Sequence, residues 1–398
     1  MTTFSLPPEW LDLLLQAMDG LQHGLRQALH LLGLADSVHG EPAWPFRQRL
    51  AAEMLLIDNG LVRSLCLALA GTLLAGLLLL LSLRWKAARP WLWMATAALL
   101  LVLPWPAQHL LMTPAVPTSL HSSPTGFRAD SILAGQAVYQ QHCLRCHGAD
   151  GRGEGPDAAA LAMWPPMFDA GLLWKRLDGE LFWRVRHGMQ AADGSSSMPG
   201  FALELDDADT WAVLDYTRAL GAGQSLRSAG AWTYPIQVPD APVSCRDGRR
   251  GSLRSLSEQR LRLVLAAPGS DQGVLPAEHP LLTNVLIGAG LSSNQTSVAA
   301  ECRIDDAAAA AALALILGVE PDTGAGHQLL TDSTGWLRAY SPPGQENWST
   351  DDLVCKPGSN NTGPLSAPAP AARSDGLTDL LLRMDEQPIQ LRRGGIPH

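Results

Sequence analysis

The sequence lacks the charge pattern and the motifs that mark several large classes of protein. It carries 29 lysine and arginine residues against 38 aspartate and glutamate residues, a formal net charge of −9. The basic residues form no stripe of the kind that binds nucleic acid, so we expect no nucleic acid partner. The sequence also has no nucleotide-binding loop, no context for a serine or cysteine nucleophile and no paired acid and base. These absences favour a protein that is not itself an enzyme.

Cysteine is scarce, with six residues in 398, but two of the six belong to an informative motif. Cys143, Cys146 and His147 form C-x-x-C-H, the attachment signal of a c-type heme. Two thiols three positions apart on a helical turn can each bond one heme vinyl group, and His147 then lies where it can ligate the iron. A zinc site would need a second ligand pair at finger or ribbon spacing, and none follows. A thiol–disulfide pair would stand in a βαβ context without the histidine. The motif occurs once, so we expect one covalent heme c per chain.

The segments on both sides of the motif fit a heme-binding fold. Residues 130–142 predict an amphipathic helix that leads into the motif. Residues 148–156 form a glycine-rich turn, which lets backbone pass close to a flat cofactor. Pro165 and Pro166 then give a stiff apolar loop. A histidine ligand usually donates its free ring N–H to a backbone carbonyl, and either proline could supply that carbonyl.

A sixth iron ligand has two main candidates. Met198 lies in a loop and is followed by Pro199, and the small residues before it would let the backbone approach the iron. Met189 stands near the end of a predicted helix, where a core or rim position is the simpler interpretation. His187 could ligate instead, but it fits the helix end better. We therefore predict that His147 and Met198 ligate the metal.

Four acidic residues that follow have two interpretations. Asp206 and Asp207 predict the N-cap of a closing helix that ends at Gly221. Together with Glu204 and Asp209 they also form a negative patch, and complementary charge raises the encounter rate with a basic redox partner.

Residues 124–223 resemble a class I cytochrome c. The resemblance rests on the order of a helix, C-x-x-C-H, a glycine-rich loop, a Pro-Pro loop, a Met-Pro loop and a terminal helix. A closer resemblance, to cytochrome domains fused to copper-resistance D type membrane proteins, rests on residues 123–127, 178–183 and 198–201. The resemblance implies an all-α domain that carries single electrons. In such fusions a full multi-helix domain precedes the cytochrome, whereas only about 120 residues do so here, and a copper-transport role does not carry over.

Two apolar runs predict a membrane anchor. Residues 61–83 and 91–112 are each long enough to span a hydrocarbon layer of about 30 Å. The connector holds Arg84, Lys86 and Arg89 and no acidic residue, and positive charge favours the cytoplasmic side. C-type hemes are attached on the outer face of the bacterial inner membrane. We therefore expect both the first 60 residues and everything after about residue 113 in the periplasm, with no cleavable signal peptide.

The N-terminal segment predicts an amphipathic helix. Leucines recur at spacings of three and four from Leu11 to Leu32, with Asp12, Asp19 and Arg26 on the other side. Such a helix could lie on the membrane surface, pack on another subunit or cover its own heme domain.

The C-terminal third predicts an α/β domain. A linker at 235–242 precedes a hairpin turn at 245–248, a buried strand at 261–266, an apolar helix at 307–317 and a strand–turn–strand unit at 331–340. This order weakly resembles a thioredoxin-like domain. The position of the usual C-x-x-C pair holds residues 266–269, Ala-Ala-Pro-Gly, so we expect a degenerate domain that acts by contact.

Three cysteines, Cys245, Cys302 and Cys355, lie in this C-terminal part. One disulfide is expected in an oxidising compartment, with its pairing open, and a cysteine site for copper is the alternative. The tail at 356–398 is expected to be mostly disordered, and residues 377–384 could form a short helix on a partner.

The sequence thus predicts a multi-domain protein with two transmembrane helices, an all-α cytochrome c domain and a small thioredoxin-like α/β domain. We expect a membrane-anchored periplasmic monoheme cytochrome c that transfers single electrons to or within a membrane oxidoreductase complex. The alternative is a copper-handling or scaffold protein with an auxiliary heme domain. The predicted segments are 1–60 (amphipathic), 61–112 (anchor), 124–224 (cytochrome), 235–355 (α/β) and 356–398 (tail).

Overall fold

The computed structural model describes residues 8–51, 55, 58–171, 173–267, 276, 278–291, 300–345, 347–354 and 376–389. These residues divide into two compact units. The first holds the described residues up to 121 together with 175–180, and the second holds 122–174 and 181 onward. The chain is multi-domain and mixes helices with sheets, as predicted.

The first unit begins with the predicted amphipathic helix. Helix α1 spans Pro8–Leu31, and its Leu15 shares a buried cluster with Leu61 and Val62 at the start of the next long helix. The other elements of the unit are β1 (Ser37–Val38), β2 (Glu41–Pro42), β3 (Gln48–Leu50), α2 (Asn59–Arg84), α3 (Arg89–Val102), α4 (Gln108–Leu111) and β4 (Met112–Pro114).

Two short strand pairs and one buried ion pair complete this unit. Strand β1 pairs with β2 and β3 with β4, both antiparallel. The Nε atom of Arg49 donates to Oε1 of Glu180 at 2.7 Å, and both side chains are buried. This ion pair fastens residues 175–180 to the unit.

Helix α2 is the one described helix that is long and apolar enough to cross a membrane. Its stretch Gly60–Arg84 has 25 residues, and an 18-residue window within it has a mean hydropathy of 2.4. The second predicted span, 91–112, is not a single helix, and this corrects the prediction. Helix α3 ends at Val102, because Pro104 and Pro106 lack the N–H that would continue it. The indole Nε1 of Trp105 donates to the carbonyl of Leu100 at 2.9 Å, which satisfies one acceptor freed by the break.

Four helices form the region of the C-x-x-C-H motif. They are α5 (Ala129–His142), α6 (Leu144–His147), which contains most of the motif, α7 (Asp178–His187), whose residues from Leu181 belong to the second unit, and α8 (Asp207–Ala229). Helices α5 and α8 cross closely, since a Cβ atom on Gly135 would lie 2.0 Å from the carbonyl oxygen of Ala212.

Two predictions for this region need correction. The region is not purely helical, because β5 (Met189–Gln190) pairs with β6 (Ser196–Met198) in an antiparallel hairpin. The closing helix does not end at Gly221 but continues to Ala229 and is capped by Gly230 in the left-handed conformation. The two additional turns are kept helical by packing, because residues 221–226 are buried.

A seven-stranded mixed sheet occupies the C-terminal part. The strands are β7 (Pro242–Cys245), β8 (Arg250–Ser252), β9 (Leu261–Leu265), β10 (Thr283–Gly288), β11 (Cys302–Asp305), β12 (Gln328–Thr331) and β13 (Leu337–Ser341). Their order is β13-β12-β9-β10-β11-β7-β8. Only β9, β10 and β11 run parallel, and the remaining pairs are antiparallel. Short 3-10 helices occur at 86–88, 158–160, 173–175, 253–256, 321–323 and 350–352.

Helices cover both faces of this sheet. Leu329 and Leu330 are neighbours in β12, so their side chains point to opposite faces. Leu329 belongs to a large core shared with α9 (Ala307–Leu317) and with the helices of the heme-motif region. Leu330 belongs to a smaller core with α10 (Gly376–Glu386). The α/β organisation is therefore present, while a thioredoxin-like identity stays a prediction.

The tail and the cysteines differ in part from expectation. Within the predicted disordered tail, α10 packs on the sheet of its own chain through Leu380, Leu381 and Met384, rather than on a partner. The expected disulfide joins Cys245 and Cys302 across β7 and β11. Cys355 and the positions 268–269 of the missing redox pair lie outside the described residues.

Candidate heme-binding site

One cavity in the second unit brings together every residue predicted for the heme site. Cys143, Cys146, His147, Met198, Pro165 and Pro166 all line it. The cavity encloses about 1110 Å³ of unfilled space, including its open mouth. The rest of its wall is mostly apolar and includes Leu161, Phe168, Leu173, Trp174, Leu181, Val185, Phe201, Val213 and Leu214.

The C-x-x-C-H motif forms a tight helical turn at the floor of this cavity. Cys143 caps α5, and the backbone N–H of His147 donates to the carbonyl of Cys143 at 2.9 Å. Cys143 and Cys146 thus lie one turn apart, as two-point attachment requires. The buried hydroxyl of Tyr139 donates to the carbonyl of Gly148 at 2.6 Å and fixes the exit of the turn.

The glycine-rich loop packs on the motif itself. The backbone N–H of Gly153 donates to the carbonyl of His147 at 2.9 Å, and that of Gly155 to the carbonyl of Cys146 at 3.2 Å. Gly153 has φ +78°, and a Cβ atom there would lie 2.4 Å from the carbonyl oxygen of Pro165. These glycines therefore allow close backbone contacts with the motif and with the proline loop. The sequence predicted such close contacts only with the cofactor.

His147 is held as a neutral, oriented imidazole. Its ring stacks on Phe168, with centroids 4.7 Å apart and planes inclined by 21°. Burial lowers its pKa to about 4, against a smaller opposing effect of the Pro166 carbonyl. The Nδ1 atom is buried without a hydrogen bond of ordinary geometry to any described residue. The Pro166 carbonyl therefore affects the pKa of His147 without accepting a well-formed hydrogen bond from it. The Pro165 carbonyl faces Gly153 instead. A neutral imidazole is the form that binds a metal.

Both thiols of the motif are free, and neither is activated. Burial raises the pKa of Cys143 to about 12, and burial also raises the pKa of Cys146. A redox-active pair needs a lowered thiol pKa, because the thiolate is the nucleophile. The environment therefore disfavours thiol–disulfide exchange at this pair.

The two candidate methionines face each other. Met189 in β5 and Met198 in β6 are register partners, and both line the cavity. The Nη1 atom of Arg184 lies 3.8 Å from the Sδ atom of Met189 and donates to it. His187 does not line the cavity, because its ring stacks on Trp183 at 3.6 Å.

The hairpin that carries the methionines depends on one glycine. Gly188 has φ +74°, and a Cβ atom there would lie 2.4 Å from the carbonyl oxygen of Met198. The Oγ atom of buried Ser197 donates to the carbonyl of Met189 at 3.1 Å and holds the register.

Several residues that line the cavity were not predicted from the sequence. Trp174 is buried and donates from Nε1 to the carbonyl of Phe168 at 2.7 Å, which supports the ring that stacks on His147. Arg184, Thr217 and His142 also line the cavity. The helical spacing of Val213, Leu214 and Thr217 on α8 could have identified one side of the wall, but nothing in the sequence set Trp174 apart from the other tryptophans.

The acidic residues at the start of α8 have structural partners. An Oδ1 atom of Asp206 accepts from the backbone N–H of Asp209 at 2.8 Å, which confirms the predicted N-cap. Asp207 forms an ion pair with Arg186 at 3.3 Å. Among the described residues, no three or more His, Cys, Asp or Glu side chains lie close enough together to hold a metal ion.

Comparison with known proteins agrees with the geometry of this region. Residues 130–216 match the family described as cytochrome C oxidase, cbb3-type, subunit III. The match supports a c-type cytochrome domain. It covers only this part of the chain, and no curated protein matches the chain.

A solved structure also shows local similarity. A chain of the reducing HAO-like protein complex of Kuenenia stuttgartiensis is 31% identical over 27% of this chain and 50% of its own length. The TM-score is 0.21, so the similarity supports no further assignment. The matched part spans half of that chain.

The residues present fit a heme c. Two thiols one helical turn apart, a neutral imidazole with a buried and unsatisfied Nδ1 atom, and the Met198 thioether meet in one apolar cavity. Cysteine, histidine and methionine are the groups that attach and ligate a c-type heme.

Proposed function

We propose that the protein is a membrane-anchored monoheme cytochrome c that transfers single electrons and is not itself an enzyme. The observation that carries the proposal is the single apolar cavity lined by Cys143, Cys146, His147 and Met198. The family match over 130–216 supports the same domain type.

Each residue of the site has a distinct task in this proposal. Cys143 and Cys146 hold the heme c covalently, and His147 and Met198 ligate its iron. When bound, the heme supplies the one-electron redox change. The apolar wall keeps water from the iron, and a His/Met ligand pair raises the reduction potential compared with two histidines. Phe168 stacks on His147 and orients its ring.

The first unit supports a membrane anchor formed by a helical hairpin. Helix α2 has 26 residues and is about 39 Å long, enough to cross a hydrocarbon layer of about 30 Å. Helix α3 runs back along it, since Trp93 donates to Ser82 at 3.2 Å and a Cβ atom on Gly71 would lie 2.2 Å from Leu103.

After α3 the chain returns to the N-terminal end of α2. Leu111 packs in the same cluster as Leu61 and Val62. If α2 crosses a membrane, residues 89–111 must cross it again, partly in non-helical form. We therefore propose two crossings, although only one of them is a full-length helix.

The connecting loop sets the proposed orientation. Arg84, Lys86 and Arg89 lie at the turn of the hairpin, and positive charge favours the cytoplasmic side. This orientation puts the heme-motif unit outside, in the periplasm of a bacterial inner membrane, where c-type hemes are attached.

The proposed partner is a redox protein or the other subunits of a membrane oxidoreductase. The family description names an oxidase subunit. Met163 and Trp164 are exposed at the rim of the cavity, 44% and 58% respectively, and give an apolar contact beside the proposed heme. Glu204 and Asp209 add negative charge, so a basic partner surface fits.

The C-terminal α/β part is proposed to act by contact and not by thiol chemistry. Cys245 and Cys302 are joined in a disulfide, and the Cys302 side chain is buried. The sheet shares a core with α5 and α8, so the part supports the heme domain as a rigid extension of it.

Spectra of washed membranes test the proposal. Membranes that contain the intact chain should show the reduced-minus-oxidised spectrum of a c-type cytochrome, and the Cys143→Ser, Cys146→Ser variant should lose it. Cys66→Ser is the matched control, because Cys66 is also a free cysteine but lies in α2 and does not line the cavity. An unchanged spectrum in the double variant, or a signal found only in the soluble fraction, would contradict the proposal.

A further inference from the structure

The β5–β6 hairpin presents two thioethers to the same cavity. Met189 and Met198 are directly opposite in the antiparallel register, and opposite residues project to the same side of a strand pair. Both line the wall that also contains His147. A heme c held by His147 would take one of these sulfur atoms as its other protein ligand, so the surroundings of the two methionines must decide between them.

The two sulfur atoms differ in their hydrogen bonding. Arg184 donates from Nη1 to the Sδ atom of Met189 at 3.8 Å. A thioether is a weak acceptor, and a lone pair directed at a guanidinium is less available to a metal. Among the described residues, the Sδ atom of Met198 accepts no hydrogen bond.

Arg184 is fixed relative to the hairpin by short backbone links. It lies in the last turn of α7, and its carbonyl accepts from the backbone N–H of Gly188 at 2.8 Å. Gly188 adjoins Met189, and Ser197 ties the two strands together at 3.1 Å. The donor and its acceptor therefore move with the hairpin as one piece.

We propose that Arg184 is a positioning residue that holds the Met189 thioether away from the iron and so leaves Met198 as the sulfur ligand. The inference rests on the proposed heme site. In this proposal the side chain of Arg184, which lies outside both strands, determines which methionine binds the iron. Loss of the guanidinium donor frees Met189 to compete.

The test compares variants of the full-length chain in detergent, each loaded with covalent heme as verified by mass. The readout is the weak near-infrared band that iron–methionine bonding gives in the ferric state, together with the reduction potential. Met198→Ala should lose the band and lower the potential, because Met189 stays on Arg184. Adding Arg184→Leu to Met198→Ala should restore the band, since Met189 is then released.

Two further variants serve as matched controls. Arg184→Lys with Met198→Ala keeps a cationic donor and should remain without the band. Met189→Ala combined with Met198→Ala and Arg184→Leu should also lack it, which assigns the restored band to Met189. All variants must retain the heme and the same helical circular dichroism. Loss of the near-infrared band in a variant that meets both criteria is not a result of misfolding.

The results of these variants distinguish the proposed role of Arg184 from the proposed heme site. If Met198→Ala, Arg184→Leu carries heme but no band, Arg184 does not restrain Met189 and the inference is wrong, while the heme site stands. If Met198→Ala alone keeps the band, Met189 binds the iron although Arg184 is present, and the inference is wrong. If Met189→Ala alone also loses the band, Met189 is the ligand of the unaltered chain and the proposed ligand set is overturned.

Discussion

Met189 and Met198 face each other across a two-stranded hairpin, and both reach the cavity that contains His147. A sequence position alone does not separate two such residues, because either side chain is the right kind of ligand. The structure separates them by their surroundings, since Arg184 donates to Met189 at 3.8 Å.

The ligand assignment predicts an asymmetry between two single substitutions. Met198→Ala should abolish the near-infrared iron–sulfur band and lower the reduction potential, because a methionine ligand raises it. Met189→Ala should leave both nearly unchanged. Ferric absorption spectra and a redox titration of each variant measure this, and the reverse pattern would move the ligand to Met189.

Gly188→Ala should disturb the ligand hairpin. The added Cβ would lie 2.4 Å from the Met198 carbonyl, and the φ of +74° is unfavourable for alanine. We expect a loss of about 1–3 kcal/mol in the free energy of unfolding and a weaker near-infrared band.

Gly194→Ala is the control for that substitution. Gly194 has φ +83° in the same hairpin, but an added Cβ meets nothing within 4 Å. It should cost stability through backbone strain alone and leave the band intact. Equal effects of the two substitutions on the band would show that contact with Met198 is unimportant.

The shared core predicts that the heme domain and the α/β part unfold together. Gly223 in α8 packs against α9, where a Cβ atom would lie 1.9 Å from the carbonyl of Leu315. Gly223→Ala should therefore lower the free energy of unfolding by about 1–3 kcal/mol through overpacking. The heme absorption and the far-ultraviolet circular dichroism should shift to the same lower midpoint.

Exposed Ser228 in the same helix provides the matched control. Ser228→Ala should leave the midpoint within error of the wild type. If Gly223→Ala instead splits the melt into two transitions, with only one displaced, the two parts do not form one cooperative unit.

Much of the secondary structure around the motif follows from the sequence. Helix α5 begins and ends within a residue of the predicted 130–142, and α9 matches the predicted 307–317. In both cases local periodicity or composition agrees with the packing. The six predicted site residues also meet in one cavity, to which the motif, the proline loop and the methionine hairpin each contribute lining residues.

The parts that escaped prediction depend on long-range contacts. The last two turns of α8 lie beyond Gly221, a residue that would often end a helix, and they persist because they pack on α9. Helix α10 follows a polar, proline-rich segment and is stabilised by Leu330 and Trp348 of the sheet region. Pro104 and Pro106 mark the break in the sequence, but the length and hydropathy of 91–112 still favoured a single span, whereas the helix ends at Val102. No sequence signal pairs Met189 with Met198.

The hairpin anchor predicts the location of the C-terminus and of the connecting loop. A reporter that is active only in the cytoplasm should be silent when fused after residue 398 and active when inserted in the loop at 85–88. The basic residues of that loop are the reason, because positive charge is retained on the cytoplasmic side. A cytoplasmic C-terminus would contradict the topology and also the place of heme attachment.

Covalent heme attachment is tested most simply by the intact mass of the purified full-length chain after acid–acetone extraction. Covalent attachment at Cys143 and Cys146 predicts a chain that keeps its colour and is heavier than the polypeptide by one heme. The Cys143→Ser, Cys146→Ser variant should have the mass of the polypeptide alone. A wild-type chain at the bare polypeptide mass, or one whose heme passes into the acetone, would contradict the central claim.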